Sequence, residues 1–311
     1  MSPRVFENAT AVIGGTPVLE LTRMRELLGG TVYLKLEMMN PGGSKKDRPA
    51  LRMVRDAKLK PGTPVVELTS GNTGTGLAIV CGALGLPFTA VMSAGNSRER
   101  SVMMQALGAT VELVPQAPSS RPGRVSGADL LLVEARVKQL AAALGAWVPD
   151  QFRNPANVLS HQEGTGPELW EAVGGKIDAF CDFVGSAGSF VGIARVLRPK
   201  GVRCYAIEPS GAQVLAGHSV TNPQHPIQGG GYAFRPPLWE EGLADGYLTT
   251  DGDEAARWCR ELARREGLYA GYSTGANLAG ASRLLREGRA KAVACLANDS
   301  GMKYHSTDLW G

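Results

Sequence analysis

Aromatic residues make up only 6% of the 311 positions, and there are only four histidines. The five cysteines (Cys81, Cys181, Cys204, Cys259, Cys295) are scattered and odd in number, with no CxxC pair. This argues against a disulfide framework or a structural zinc site, and thiols set in apolar runs read as reduced and buried. No apolar run approaches the length of a membrane span, and the opening MSPRVFENAT has no apolar signal core, so a cytoplasmic setting is expected. Charge is also nearly balanced: 33 Lys and Arg face 29 Asp and Glu, and the net +4 is spread along the chain. Neither nucleic acid nor a membrane is an expected partner. His161 and His305 read as isolated polar residues, with no Ser-His-Asp or metal-ligand spacing around them.

What the chain has in quantity is glycine, 40 residues that fall at the ends of apolar runs. The runs themselves are short and β-rich: 31–37, 64–69, 88–93, 110–115, 177–184, 202–209 and 292–298. Several are apolar at nearly every position, as strands covered on both faces must be. Helix-compatible segments alternate with them, which argues for an α/β fold with parallel sheets. In NSRERSVMMQALGA, Asn96 and Glu99 have capping-box spacing and Gly108 follows as a C′ residue. QAPSSRPGRVSG (116–127) reads as a long loop.

In a parallel sheet, ligands gather beyond the carboxyl ends of strands, so the polar loops there are informative. TSGNTGTGLAIV (69–80) leads from a strand into an apolar helix, whose free amides and dipole favour an anion. Read alone, it is equally a capped turn. GSAGSFVGIARVL (185–197) repeats the arrangement with five small residues, Gly185 to Ser189, able to wrap a phosphate in backbone amides. It lacks the Gly-Lys-Ser/Thr ending of a nucleotide-binding P-loop. GYSTGANLAGA (271–281) and NDSGMKYHSTDLW (298–310) follow later strands. NPGGSKKDRPALRM (40–53) sets two lysines after a Gly-Gly-Ser turn. Two anion cradles, a lysine beyond a strand and no metal spacing suggest a phosphorylated organic cofactor bonded to lysine.

In order and wording, these segments resemble the fold-type II pyridoxal-phosphate (PLP) enzymes, particularly cysteine synthase and cystathionine β-synthase. The resemblance runs from VIGGTPVLEL (12–21) through QFRNPANVLSHQEGTGPELW (151–170) to NDSGMKYHST. It implies an α/β fold of two three-layer α/β/α domains with mainly parallel sheets, like the tryptophan synthase β-subunit. Residues 36–150 would form one domain, and 1–35 with 151–311 the other. It implies that Lys46, directly before Asp47-Arg48, forms the Schiff base. Lys45 then stands where the family has an apolar residue or histidine, a departure expected to affect packing more than chemistry. Asn72 would meet the phenolic oxygen of PLP, and Gly185, Ser186, Ala187, Gly188 and Ser189 its phosphate. Ser273 would meet the pyridine nitrogen. Thr69, Ser70, Asn72, Thr73 and Gln151 would bind the substrate carboxylate.

The implied reaction is β-replacement on an O-activated L-serine through an aminoacrylate, with Lys46 as general base and a small nucleophile as second substrate. Cysteine synthesis from O-acetylserine and sulfide leads. Other β-substituted alanines (cystathionine, diaminopropionate types) made from serine or phosphoserine, a serine/threonine dehydratase, and a non-catalytic binding relative are the alternatives. Phosphoserine needs a cation near the β-carbon, and Ser210 stands where some phosphoserine-using relatives place arginine. Arg121, Arg124 and Arg235, in candidate entrance loops, remain to serve instead. The family is usually homodimeric, and a homodimer is expected by analogy.

Overall fold

Apolar runs without alternation become the strands of two mainly parallel sheets. The computed structural model describes residues 5–69 and 71–311. Among the described residues nine strands occur in chain order: β1 (Val18–Glu20), β2 (Thr31–Lys35), β3 (Val65–Leu68), β4 (Phe88–Ser93), β5 (Thr110–Val114), β6 (Ala179–Phe183), β7 (Arg203–Pro209), β8 (Gly246–Thr250) and β9 (Ala292–Leu296). One sheet has the order β1-β2-β9-β6-β7-β8, and the second is β3-β4-β5. Every pairing is parallel except β1 with β2.

Ten α-helices accompany them among the described residues: α1 (Arg25–Leu28), α2 (Asp47–Ala57), α3 (Asn72–Leu84), α4 (Arg98–Ala106), α5 (Gly127–Leu144), α6 (Ala156–Ser160), α7 (Gly166–Val173), α8 (Gly188–Leu197), α9 (Gly252–Glu266) and α10 (Tyr272–Arg286). Alternate strand residues face opposite helix layers. Val65 and Ala90 pack with Leu77 and Val80 of α3, whereas Val66 and Val91 pack with Val133 and Val137 of α5. In the larger sheet Cys181 and Ile207 face α9 and α10, while Phe180 and Ala206 face α8. Each sheet is thus the middle of three layers. Among the described residues no helix is long and apolar enough to cross a membrane, and all five cysteines are buried free thiols.

All seven strand expectations fall on strands; β1 and β8 were not anticipated. The capping expectation at Asn96 is corrected. Helix α4 starts at Arg98 with Ser97 in the cap position. The Asn96 amide instead donates to Ser93 O at 3.1 Å. Glu99 accepts from the amide and hydroxyl of Ser306, both at 2.7 Å. Helix α5 carries the true capping box, Ser126 with Asp129, at the end of the loop 116–126.

Candidate active site

Four loops at the carboxyl ends of strands come together. The Gly42-Gly43-Ser44 turn bridges from Ser44 to Asp299, just past β9, and the Lys45 amide donates to Asn298 O at 2.9 Å. This anchors Lys46 immediately before α2. Its amine donates to Ser186 Oγ at 3.0 Å. Burial, reinforced by the positive charge of Lys45, pushes the Lys46 amine down to about 7, against the pull of Asp182 and Glu67. An amine so placed is substantially neutral near pH 7 and able to act as nucleophile or base.

The Ser186 hydroxyl also accepts from Asn157 Nδ2 at 2.9 Å, and the same amide donates to Gln151 O at 2.7 Å. Gln151 Oε1 in turn accepts from Thr73 Oγ1 at 2.6 Å, and its Nε2 donates to Leu68 O at 3.0 Å. One hydrogen-bond chain therefore links Lys46, the small-residue loop and two of the expected carboxylate-binding residues. Thr69 lies just beyond β3, its hydroxyl accepting from the amides of Gly71 and Gly74 at 3.0 and 2.8 Å. Ser70 lies outside the described residues.

Loop 185–189 joins β6 to α8, with Ala187 in a left-handed conformation (φ 70°) before the helix start. A Cβ at Gly185 would meet Gly229 O at 2.4 Å, and one at Gly188 would meet Asn157 Oδ1 at 2.1 Å. Only glycine fits at these two positions, which leaves the amides at the start of α8 in a narrow cradle. The Ser189 hydroxyl turns beneath the loop and donates to Asp182 at 2.6 Å.

Asn72 opens α3. Its Nδ2 donates to Asp299 Oδ2 at 2.8 Å, and its Oδ1 accepts from Lys303 Nζ at 2.8 Å. Asp299 is fully buried and also accepts from Tyr304 OH at 2.9 Å. Burial pushes Lys303 down to about 8. Asp299, Lys303 and Tyr304 orient Asn72, yet sequence reasoning gave them no role, although all three stand in NDSGMKYHST. Ser273 lies in the first turn of α10, half-buried. It is outside the Lys46–Thr73 chain; its neighbour Thr274 accepts from the Asn298 amide at 3.0 Å.

The three candidate arginines part company. Arg235 is exposed and pairs with Glu241, and Arg121 is exposed. Arg124 is half-buried and lines a small cavity with Asn96, His225 and Gln228, next to Gly229 and Gly230. Gly229 is the residue that abuts Gly185. A larger cavity, about 980 Å³, lies between α5 and the segment 223–237, with Leu68 and Phe152 on its wall.

The donor set fits PLP: a glycine-lined anion cradle at a helix start and a depressed lysine amine within hydrogen-bond reach of it. Comparison with known proteins agrees. The chain is 38% identical over 318 residues to cysteine synthase of Staphylococcus aureus, covering 100% of this chain and 99% of that one. The crystal structure of O-ureido-L-serine synthase superposes with a TM-score of 0.89 at 36% identity, covering 99% of this chain and 96% of that chain. That of an O-acetylserine dependent cystathionine beta-synthase from Helicobacter pylori gives 0.88 at 30% identity, covering 99% and 100%. Residues 9–299 match the model of the pyridoxal-phosphate dependent enzymes, and the chain belongs to that family.

Proposed function

We propose that the protein catalyses β-replacement on O-acetyl-L-serine, with sulfide as nucleophile and cysteine and acetate as products. The observation that carries this reading is the Lys46 amine, 3.0 Å from Ser186 in the glycine-lined loop, within a chain matched end to end by cysteine synthase. When bound, PLP supplies an electron sink that stabilises negative charge at the substrate α-carbon. Lys46 would bond the cofactor between turnovers, and its free amine would take the α-proton of the substrate. Its amine at about 7 suits a base that must be neutral to accept that proton and must give it up again. Thr69, Ser70, Asn72, Thr73 and Gln151 receive the carboxylate, with Gln151 held by Thr73 and Leu68. Loop 185–189 takes the phosphate, Asn72 the phenolic oxygen and Ser273 the ring nitrogen. A neutral serine hydroxyl does not hold the ring protonated, which favours loss of a β-substituent over transamination.

A second reading follows from Arg124. A guanidinium beside the glycines that abut the phosphate loop suits an anionic β-substituent or an anionic nucleophile. Similarity to enzymes named for O-ureido-L-serine and cystathionine supports a nucleophile other than sulfide. The setting is cytoplasmic and the working form a homodimer of two such chains, with residues 36–150 forming one domain and 1–35 with 151–311 the other.

The test is product analysis of purified protein given O-acetylserine, O-phosphoserine or serine, each with sulfide or a panel of thiols and amines. Cysteine and acetate formed in equal amounts support the first reading. Turnover confined to O-phosphoserine or to a non-sulfide nucleophile selects the second, and no turnover with any pair defeats both.

A further inference from the structure

Lys45 departs from the pattern of the resembled family, and the structure gives it a partner far away in sequence. Its buried amine lies 2.9 and 3.1 Å from the two carboxylate oxygens of Asp182 on β6. Asp182 is fully buried three residues before loop 185–189, and it accepts from Ser189 Oγ at 2.6 Å and Asn277 Nδ2 at 3.2 Å. Asn277 is itself fixed, because its Oδ1 accepts from the Phe183 amide at 2.7 Å and its Nδ2 donates to Leu296 O at 2.9 Å. The pair thus ties the turn before α2 to the ends of β6 and β9, to the first turn of α8 and to the second turn of α10. A buried ion pair seldom adds net stability over apolar side chains of similar volume, so its place under the phosphate loop calls for another reason.

We propose that Lys45 and Asp182 are positioning residues for the cofactor phosphate: Asp182 fixes the Ser189 end of the loop, and Lys45 cancels the carboxylate that would otherwise stand beneath a bound dianion. This rests on loop 185–189 being the phosphate site. The two partners then have unequal effects. Removing Lys45 leaves an uncompensated carboxylate under the phosphate. Removing the Asp182 charge leaves a cation there, which attracts it, while an asparagine oxygen still accepts from Ser189. The same charges act in opposite senses on Lys46. Lys45 disfavours a second cation beside it, and Asp182 favours one. The other titratable groups facing Lys46 are Glu67 on β3, pushed up to about 8 by burial, and His161 after α6, kept neutral by burial.

Full-length parent, Lys45→Met, Asp182→Asn and the double variant are compared by PLP titration and by the pH dependence of covalent capture. In capture the Lys46 nitrogen adds to the PLP aldehyde carbon, water leaves, and borohydride reduces the C=N bond before peptide mapping. Lys45→Met should weaken PLP binding at least about tenfold more than Asp182→Asn, and the double variant should recover most of that loss. The capture midpoint should move up in Lys45→Met and down in Asp182→Asn. If Lys45→Met does not fold, the double variant should bind PLP within about threefold of the parent and Asp182→Asn should still capture at lower pH. Equal losses in the two single variants, a double variant no better than Lys45→Met, or midpoints moving in the same direction overturn the proposal. A parent that binds pyridoxal as tightly as PLP overturns the phosphate reading along with it.

Discussion

Lys45 and Lys46 are neighbours in the chain, but their side chains reach different partners, Asp182 and Ser186. Local sequence separates them only through the Asp47-Arg48 that follows. The partner of Lys45, 137 positions away on a strand, left no local signal. Asp299, Lys303 and Tyr304 were illegible for the same reason: their meeting with Asn72 depends on the end of β9 lying beside the start of α3. Lys46→Ala should leave no borohydride-trapped cofactor and weaken PLP binding at least about tenfold. It also deletes a desolvated amine, so below pH 7 the apo variant should melt no lower than the parent. A trapped label on Lys45 would reassign the nucleophile, and a lower melt would mean that the amine supports the fold. For Arg124→Met, the ratio of kcat/KM for O-phosphoserine to that for O-acetylserine, or for an anionic thiol to a neutral one, should fall about tenfold or more. An unchanged ratio in both comparisons removes Arg124 from substrate recognition.

At the scale of elements, legibility followed the length and apolar content of a run, since β5 is predicted although none of its residues is buried. Strands covered on both faces, such as β6 with every residue buried, announce themselves as unbroken apolar runs. The two without such a run sit at the sheet's outer positions: β1 has three half-buried residues and β8 mixes glycine, threonine and tyrosine. The start of α4 was misplaced because Ser97 Oγ is engaged by Lys303 O at 2.9 Å and Glu99 by Ser306, contacts that come from the distant C-terminal segment. Tertiary partners overrode a local capping pattern. The phosphate loop shows the reverse, since its small residues were legible and their reason is steric. A Cβ at Gly185 meets a backbone oxygen, which cannot rotate away as a side chain would. Gly185→Ala should therefore push the segment at Gly229 off the loop. PLP affinity should drop at least about tenfold, while the apo melt changes by only a few degrees. Equal affinity in parent and variant would show that the cradle tolerates the extra carbon.

For the whole molecule, one half-buried and one buried carboxylate, Glu168 and Glu67, give pH dependences of opposite sign. Glu168 joins α7 to α2 and β2: it accepts from Arg48 Nη1 and Nη2 at 2.7 and 2.6 Å and from Lys35 Nζ at 2.7 Å, while Arg48 also grips Glu37. Burial opposes ionisation of Glu168, but the Arg48 hydrogen bonds and charge outweigh it and hold the carboxyl at about 2. A lowered folded value means stability that is fully present above the ordinary 4.5 and lost as pH falls toward 2. Glu67 lies beneath the loop 69–73 and accepts from the amides of Asp150 and Gln151 at 2.9 and 3.3 Å. Burial pushes it up to about 8 despite those bonds. A raised folded value makes the native state the tighter proton binder, so stability declines from 4.5 upward and is lost in full above 8. Lys46 and Lys303 add a rising slope above 7 that parent and carboxylate variants share. Urea melts of apo protein across pH separate the effects. Glu168→Gln should cost about 3 kcal/mol at pH 7, because it leaves buried cations undercompensated, and its curve should be flatter than the parent's between pH 4.5 and 2. Glu67→Gln should approach or exceed the parent's stability above pH 8 and fall below it near pH 4, where the parent carboxyl is protonated in both states and the amide offers one oxygen, not two, to the Asp150 and Gln151 amides. Curves for Glu67→Gln and the parent that stay parallel from pH 4 to 9 would mean that Glu67 titrates alike in the folded and unfolded chain, and burial beneath the substrate loop would then exert no hold on its proton.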